Sequence, residues 1–326
     1  MRRRRRKSRA GKARRRRAPR SSSLREGRFT HLDKVFWPKE GFTKGDVLSY
    51  YERAASVILP YLKNRPMVLN RHPNGIRGAS FFQKNVDPRH LPPFVETVPN
   101  RAKSTGRSVH YVVCNSKRTL LYLANLGCIE IHPWLSRVGR LDKPDFLVID
   151  LDPNGTAFAQ VIEVARATGK LIAAAGGRSL VKTSGKSGLH LYVPIRGSHR
   201  FEEVRAVAKL ISRIVNRRFP RITSFGHRPQ AKRIYFDYAR NSIGQTLAAP
   251  YSLRAYPGAT VSTPLEWREL TKSARPERYR MRTIFRRLDR NGDVWRARLR
   301  KSSNLARMER RLNRIWEEMR RSALRA

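Results

Sequence analysis

Residues 146–153 of the chain read FLVIDLDP, four apolar residues followed by two aspartates that flank one leucine. Such a short apolar run is typical of a buried strand. Side chains alternate along a strand, so Asp150 and Asp152 are predicted to point to one face and Leu151 to the other. Two neighbouring carboxylates repel each other unless a cation lies between them, and Mg²⁺ and Mn²⁺ prefer oxygen ligands. The stretch therefore predicts a metal-binding strand; the alternative is a plain strand that ends in a polar turn at 153–155.

The composition points to a polyanionic partner. The chain has 326 residues, enough for one large domain or two ordinary ones, and 40% of them are hydrophobic, which supports a folded core. The formal net charge of +47 favours nucleic acid as the partner, with an anionic membrane surface as the second candidate. No apolar run is long enough to span a bilayer or to serve as a signal peptide, so no membrane partner is expected.

The cysteine content indicates the cellular compartment. Two cysteines, Cys114 and Cys128, suit a reducing compartment, and we expect a cytoplasmic, nucleoid-associated protein.

The N-terminal segment is strongly basic: residues 1–20 carry thirteen Lys or Arg and no acid. Residues 1–23 are therefore predicted to be a disordered arm that binds phosphate backbones without sequence specificity. An upstream extension from a misassigned start codon is the alternative; the folded part is expected to begin near Leu24.

A helix is predicted to begin at Thr43, because Thr43 and Asp46 have the spacing of an N-cap and an acid at the third helical position. Apolar residues continue at helical spacing as far as Pro60, which is expected to end the helix. Basic groups near a helix N-terminus can form a phosphate site, with a solvated basic surface as the alternative. The basic residues concerned are His31, Lys34 and Lys44.

Two phenylalanines lie on the second of two predicted strands, residues 68–71 and 80–84. Adjacent residues on a strand point to opposite faces, so at most one of Phe81 and Phe82 can belong fully to the core. The other is available to stack on a base, with Arg71 and Lys84 near the nucleic-acid backbone. Two ordinary core phenylalanines at a sheet edge are the alternative.

Two histidines and two cysteines alternate with apolar residues on two further predicted strands, His110 to Cys114 and Cys128 to His132. The four side chains could be interpreted as a zinc site. No tight turn joins either pair, so we favour structural thiols and a polar His132 at the edge of a cleft.

A loop of Ser, Gly and Lys is predicted between two strands, in the stretch that runs from Thr183 up to His190. Small residues let backbone N–H groups approach an anion, and Lys182 and Lys186 add positive charge. The G-x-x-x-x-G-K-[ST] order of a Walker loop is absent. We favour a triphosphate cradle, with His190 directly after it, over a plain hairpin turn.

A third acid, Asp237, is predicted on a strand over residues 233–238, and three carboxylates can hold two metal ions. Arg240 and Arg254 follow in predicted loops, where their forked donors can meet phosphate. A surface salt bridge is the alternative for each arginine.

The C-terminal part of the chain is predicted to be helical. A helix is expected to begin at Thr263, with Pro264 at its first helical position. Residues 276–326 are predicted to be mainly basic helix. We place the catalytic domain at residues 24–295 and a basic helical tail at residues 296–326.

Seven stretches together resemble one known family, the polymerase domain of bacterial DNA ligase D within the archaeo-eukaryotic primase superfamily. They are TKGDVLSYYERAASVILPYLKNRPMVLNRHPNG, FFQKN, IEIHPW, PDFLVIDLDP, VKTSGKSGLHLYVPI, DYARNSIGQTLAAPYSLRAYPGATVSTPLEW and MRTIFRRLD. They occur in the family's order and cover roughly residues 30–295, and their joint match is far more specific than any single piece. No ligase or nuclease domain is recognised, so a stand-alone version is expected. The arginine arm and the basic tail lie outside the family pattern.

The resemblance implies roles for named residues. The metal-binding and catalytic acids would be Asp150, Asp152 and Asp237, with His132 beside them. The triphosphate-binding side chains would be Ser184, His190, Arg240, Arg254 and Lys182. The residues against the templating base would be Phe81, Phe82, Arg71 and Lys84. The residues that grip the 5′-phosphate of a downstream strand would be His31, Lys34 and Lys44.

The resemblance also implies an activity and a fold. The family fills gaps and extends ends in non-homologous end joining beside the Ku protein, and it favours ribonucleotides and Mn²⁺. We therefore expect an α+β primase-polymerase fold whose central, mainly antiparallel sheet carries the acids, with flanking helices and a smaller N-terminal sheet region. The expected cofactors are two Mn²⁺ or Mg²⁺ ions with NTP or dNTP as substrate. The expected partners are double-stranded DNA ends and gapped DNA with a 5′-phosphate, together with Ku and a separate DNA ligase.

Two other functions stay open from the sequence. One is a primase that starts chains without a primer. The other is a non-catalytic basic protein that coats nucleic acid, which the net charge supports. Acids in a cleft weaken phosphate binding unless a metal ion intervenes, and this argues against the coating protein.

Overall fold

A computed structural model describes residues 29–101, 106, 108–195, 197–226 and 229–324. The predicted arm at residues 1–23 and the expected start near Leu24 lie outside the described residues. No helix in these ranges is long and apolar enough to cross a membrane.

The secondary structure alternates short strands with six α-helices in the described part of the chain. The strands are β1 Val35–Trp37, β2 Phe42–Thr43, β3 Met67–Arg71, β4 Phe81–Gln83, β5 Glu96–Arg101, β6 Ser108–Val113, β7 Cys128–Pro133, β8 Ser136–Arg137, β9 Arg140–Pro144, β10 Phe146–Asp152, β11 Leu180–Thr183, β12 Leu189–Pro194, β13 Thr223–Phe225, β14 Ile234–Asp237 and β15 Pro264–Leu265. The helices are α1 Lys44–Leu62, α2 Lys117–Asn125, α3 Phe158–Ala174, α4 Phe201–Arg218, α5 Ile284–Asn291 and α6 Leu305–Leu324.

The central sheet has six strands in the order β13-β14-β10-β12-β11-β15. Every neighbouring pair is antiparallel except β13 and β14. A smaller sheet near the N-terminus has the order β4-β3-β7. The predicted α+β class, with a largely antiparallel central sheet and a smaller N-terminal sheet region, is confirmed.

Side chains that alternate between the two faces of β10 pack into two separate parts of the core. Leu147, Ile149 and Leu151 are fully buried in one apolar cluster, which also takes side chains from α3, α4 and α6. Val148 points to the other side and is buried in a second cluster with residues of α1 and α2. Because side chains two apart share a face, Asp150 follows Val148 on that second side, where the sheet meets the N-terminal half of the chain.

Helix α1 begins as predicted but ends later. The Thr43 hydroxyl accepts a hydrogen bond from the Asp46 N–H, and the Asp46 carboxylate accepts one from the Thr43 N–H, which together make a capping box. Pro60 was expected to end the helix, and this is wrong, because the helix continues to Leu62. A proline removes only one helical hydrogen bond, and here it does so within the last turn, which the Lys63 N–H closes onto the Leu59 carbonyl.

The helix expected from Thr263 is also wrong. Pro264 and Leu265 form β15, which pairs with β11 at the edge of the central sheet, and a single 3₁₀ turn, Trp267–Glu269, follows. A proline tolerated at the start of a helix is tolerated equally on an edge strand, where its missing N–H has no partner to lose. The burial of Leu265 in the core therefore decides between the two structures.

Candidate active site

Asp150 and Asp237 lie directly opposite each other on neighbouring strands. β10 and β14 pair so that Asp150 faces Asp237 and Asp152 faces Tyr235. Arg240 lies against both acids, with its Nε 2.9 Å from Asp237 Oδ2 and 3.5 Å from Asp150 Oδ2. These are charge contacts without a well-aligned hydrogen bond at that nitrogen. The sheet thus brings together two acids that are remote in sequence, and Asp152 lies two residues further along the same face.

The two acids carry more negative charge than the arginine neutralises. Burial is the main cause that raises the pKa of Asp150 to about 6; Arg240 opposes the rise, while Asp237 and Asp152 add to it. Burial and like charges disfavour the ionised form of this carboxyl group, and a further cation nearby would stabilise that form. The acid pair therefore has the electrostatics of a cation site.

Asn241 holds the turn that carries Arg240, and sequence reasoning missed it. Its side chain is fully buried, accepts a hydrogen bond from the Val148 N–H at 2.8 Å and donates to the Val148 carbonyl at 2.7 Å. It also donates to the Tyr238 carbonyl at 2.9 Å. The turn after β14 is therefore tied to the middle of β10, and the direction of the arginine follows from it.

His190 lies on β12, directly after the loop as expected, and directly opposite Asp150. Its Nε2 is 3.4 Å from Asp150 Oδ1, and its buried Nδ1 has no hydrogen-bond partner in the described structure. Burial lowers the pKa of His190 well below its usual value, and the positive charges of Lys182 and Arg254 lower it further. His190 therefore contacts Asp150 through Nε2 and lines the cavity.

The Ser–Gly–Lys loop is a tight hairpin between β11 and β12. The Ser184 hydroxyl accepts hydrogen bonds from the N–H groups of Lys186 at 3.1 Å and Gly188 at 3.0 Å. Arg254 donates through Nη1 to the Ser184 carbonyl at 2.5 Å. A Cβ at Gly188 would lie 2.3 Å from the Leu151 carbonyl oxygen, so only glycine fits there. Two of the N–H groups are already bonded to Ser184, so the predicted cradle would rely on side chains.

Lys182 is fully buried at the start of this region. Its ammonium group donates to the Ser262 hydroxyl, and burial lowers its pKa well below the usual value, with Arg254 as the next cause. Lys182 is thus part of the floor and does not line the cavity described below.

Glu130 organises the positive side of the site and was also missed. One carboxylate oxygen accepts from the Ala255 N–H at 3.0 Å and lies 3.2 Å from Arg254 Nε, and the other is 3.0 Å from His132 Nε2. Burial would raise the pKa of Glu130, but the bond to His132 and the charges of Arg254 and Lys186 hold it well below its usual range. The alternation of β7, which places Glu130 on the same side as His132, is the signal that could have found it.

A cavity of about 290 Å³ joins these groups. The predicted site residues that line it are Phe82, His132, Asp150, Asp152, Ser184, His190, Arg240 and Arg254. Arg240 and His190 lie beside Asp150, and Arg254 lies beside Glu130, so the cavity is lined by both carboxylates and arginines, which is a suitable arrangement for a metal-bound phosphate chain.

Neither phenylalanine of β4 belongs to the core. Phe81 is 47% exposed and Phe82 is 59% exposed, so the alternative of two ordinary core phenylalanines is wrong. The edge of Phe82 meets the His132 ring at 5.8 Å between centroids, and the guanidinium of Arg71 lies 5.2 Å from the centroid of Phe81. Lys84 is exposed next to them. Of these residues Phe82 lines the cavity, and the others extend an aromatic and basic surface from it along β3 and β4.

The basic residues His31, Lys34 and Lys44 are brought together at the N-terminus of α1, of which Lys44 is the first residue. The Lys34 ammonium donates to Asn74 Oδ1 at 2.5 Å, and the Lys44 ammonium donates to the Thr30 carbonyl at 2.7 Å. Burial lowers the pKa of Lys44, and the nearby Lys34 lowers it further. His31 is exposed beside them, and its carbonyl accepts a hydrogen bond from the Lys34 N–H at 3.1 Å. Lys34 and His31 are accessible, whereas Lys44 is mostly buried.

The carboxylate oxygens of Asp150 and Asp237 are suitable ligands for a hard divalent cation. In the part of the chain that the structure describes, no three His, Cys, Asp or Glu side chains are close enough to hold a metal ion by themselves. Mg²⁺ and Mn²⁺ are commonly held by one or two carboxylates, with waters and substrate phosphates completing the shell. Asp150, with its raised pKa, and its partner Asp237 fit that pattern. Within the same residues Cys114 and Cys128 are buried free thiols, so the zinc site weighed from the sequence gains no support.

The comparisons with known proteins agree with this geometry. The structure matches the polymerase domain of Mycobacterium tuberculosis Ligase D in complex with DNA, with a TM-score of 0.77 and 30% identity over 85% of this chain and 98% of that one. The chain is 33% identical to the Bacillus subtilis protein "Bifunctional non-homologous end joining protein LigD" over 269 residues, which are 81% of this chain and 43% of that protein. It is 32% identical to the Pseudomonas aeruginosa protein "Multifunctional non-homologous end joining protein LigD" over 80% of this chain and 31% of that protein.

These matches place the chain in a family. The fold and the site define a primase-polymerase domain, and the model of the LigD primase-polymerase domain matches residues 43–295. The chain belongs to the LigD primase-polymerase domain family, as the resemblance predicted. It spans less than half the length of these curated relatives.

Proposed function

We propose that the chain is a template-directed nucleotidyltransferase that fills gaps and extends ends during non-homologous end joining, with a preference for ribonucleotides. The observation that carries the proposal is the pairing of Asp150 with Asp237 across β10 and β14, beside a cavity lined by Arg254 and His190. Family membership and the names of the relatives support a role in end joining.

The chain's own residues would bind and orient the substrates. Two Mn²⁺ or Mg²⁺ ions held by the aspartates Asp150, Asp152 and Asp237 would activate the primer 3′-hydroxyl and neutralise the leaving pyrophosphate. Arg254, fixed by Glu130 and by the Ser184 carbonyl, is positioned to bind the triphosphate as a charged fork.

Three other groups complete the proposed arrangement. His190, which lines the cavity beside Asp150, would contact the nucleotide. Arg240, now on the acid pair, is half-exposed and can turn to the triphosphate when a cation takes its place. The exposed rings of Phe81 and Phe82 can stack on the templating base.

The proposed partners are DNA ends and gaps with a 5′-phosphate, gripped by Lys34 and His31 with support from Lys44. Ku and a separate DNA ligase are proposed as protein partners, in the nucleoid. The net charge of +47 supplies the general attraction to DNA.

The proposal is tested by primer extension on gapped DNA with NTP or dNTP and with Mn²⁺ or Mg²⁺. We expect Asp150→Asn and Asp237→Asn to abolish nucleotide addition, because each removes a charge from the metal site, while DNA binding persists on the unchanged basic surface. Asp289→Asn changes an exposed acid on α5 and is the matched control. Extension by either variant at the wild-type rate would contradict the site. A wild-type protein that binds DNA without extending it would support the coating protein instead.

A further inference from the structure

A cavity larger than that of the candidate active site lies elsewhere in the molecule. It has a volume of about 1010 Å³ and is bounded by the C-terminal half of α3, by β15 and the turn after it, and by the segment 297–301. Leu180 at the start of β11 and Pro194 at the end of β12 line it. His190, four residues before Pro194, lines the active-site cavity, so about 13 Å of strand separates the two. We call this cavity the rear groove.

The rear groove is strongly cationic. One carboxylate, that of Glu266, lines it together with six positive side chains, which are Arg166, Lys170, Arg178, Arg268, Arg298 and Lys301. Glu266 is already paired with two of them, Arg268 at 2.5 Å and Arg298 at 2.8 Å. Arg166 donates to the Leu270 carbonyl.

Three cations remain for a ligand. Lys170, Arg178 and Lys301 are exposed, and Glu266, the carboxylate that lines the groove, is paired with Arg268 and Arg298 instead of with them. Three unpaired positive charges around one concave surface repel one another and attract an anion. Lys301 and Arg298 follow residue 295, where the family match ends, so this chain builds the groove in part from a segment outside that match.

The floor of the groove is apolar and aromatic. Leu180, Pro194, Leu265 and Trp267 line it between the cations. The Trp267 indole is held in place, since its Nε1 donates to the Ser179 carbonyl at 2.9 Å and its ring packs against Gly169, where a Cβ would lie 2.7 Å from it. Trp267 is only half-buried, so a fixed aromatic surface remains available at the groove.

We propose that the rear groove binds single-stranded nucleic acid. A single strand offers both phosphates for the unpaired cations and base faces for an aromatic, apolar floor, whereas a duplex offers its phosphates alone. An acidic peptide would match the charge but would leave the aromatic floor without a planar partner. The proposal does not depend on the polymerase activity, because the groove shares no residue with the active-site cavity.

The test uses the full-length protein and a fluorescein-labelled oligo(dT), with a duplex of equal length as a comparison. The variant carries Lys170→Gln, Arg178→Gln and Lys301→Gln. Each lost phosphate contact removes about 0.7 from the slope of log K against log salt for a single strand, so we expect the slope to fall by about 2. The duplex slope should change little. An oligonucleotide with 5-iodouracil should cross-link to the wild-type segment that contains Trp267.

The control variant removes three exposed cations elsewhere, with Lys209→Gln, Arg217→Gln and Arg221→Gln on and after α4. Thermal melting checks that both variants are folded. An equal slope change in the control, an equal loss for the duplex, or cross-links confined to other segments would each overturn the proposal. Competition by a polyglutamate peptide that is stronger than that by oligo(dT) would assign the groove to an acidic protein segment and would overturn it as well.

Discussion

At the residue scale, Glu130 shows how one buried carboxylate can prepare a site for anions. Its side chain is 1% exposed and contacts Arg254, His132 and, at 3.8 Å, Lys186. Without Glu130, the buried guanidinium of Arg254 would have no counter-charge and would be repelled by Lys186. The single negative charge holds them together and leaves the outer part of the arginine fork free for a phosphate.

We predict that Glu130→Gln destabilises the protein by about 3 kcal/mol, because it leaves the buried Arg254 without a counter-charge while keeping the side-chain size. Added tripolyphosphate should then raise the melting temperature more in the variant than in the wild type, since the anion supplies the missing charge. Differential scanning fluorimetry measures both effects. Glu163→Gln on the exposed face of α3 is the control, and an unchanged melting temperature in Glu130→Gln would contradict the prediction.

Lys34 allows a second prediction at this scale. Unlike Lys44, it is exposed, and its ammonium bonds only to the Asn74 side chain among the described contacts. We predict that Lys34→Gln lowers the preference for a 5′-phosphorylated gap over an unphosphorylated one by about tenfold, the value of one charged hydrogen bond. Binding of the two gapped duplexes measures it. Lys39→Gln, three residues before β2, should keep the preference; an equal loss in both variants would mean that the effect is general charge.

At the element scale, the site depends on where β14 stops. β14 pairs with β10 only from Asp150 to Asp152. Val148 lies beyond that pairing, and its N–H and carbonyl are satisfied by the side chain of Asn241 instead of a strand. The early end of β14 frees the chain to turn, and the turn carries Arg240 back over the two acids.

We predict that Asn241→Ala destabilises the protein by about 3 kcal/mol, because it leaves two buried backbone groups of Val148 without partners. The same variant should weaken nucleotide binding, since Arg240 loses its fixed turn. Urea unfolding measures the first effect and nucleotide titration the second. Asn313→Ala on the exposed face of α6 should change neither. A loss below about 1 kcal/mol in Asn241→Ala would show that water replaces the side chain.

At the scale of the whole molecule, the C-terminal helix is part of the second core. Leu305, Met308 and Leu312 of α6 are buried, at 2%, 0% and 0% exposure, in the same cluster as the inner residues of α3 and α4. The predicted boundary between a catalytic domain and a tail at residue 296 stays a prediction. The packing nevertheless makes α6 a structural element, although the family match ends at residue 295.

We predict that Met308→Ala lowers the free energy of unfolding by about 3 kcal/mol, the usual effect of a cavity left by a large apolar side chain. Glu309→Ala, its exposed neighbour, should have almost no effect. Chemical denaturation of the full-length chain measures both. Equal stability of Met308→Ala and the wild type would indicate that α6 is a loosely attached tail.

Local sequence patterns were sufficient to predict much of the secondary structure. The apolar run before Asp150 predicted its strand, because a short buried run has few other conformations. The capping residues Thr43 and Asp46 predicted the start of α1 for an equally local reason. The seven family-like stretches predicted the fold class and the family. At Pro264 the same local pattern is compatible with the start of a helix and with an edge strand, and the sequence predicted the helix, which is wrong.

The sequence by itself determined the strongly basic character of the protein, most of its strands and helices, and the kinds of side chain at its candidate site, since each depends on composition or on neighbours along the chain. Only the tertiary structure decided that Asp237 lies opposite Asp150, that Glu130 supports Arg254, and that Asn241 completes β10. Those contacts join residues about 90 to 125 positions apart. Strand register and burial set them, and neither quantity can be calculated from a local window.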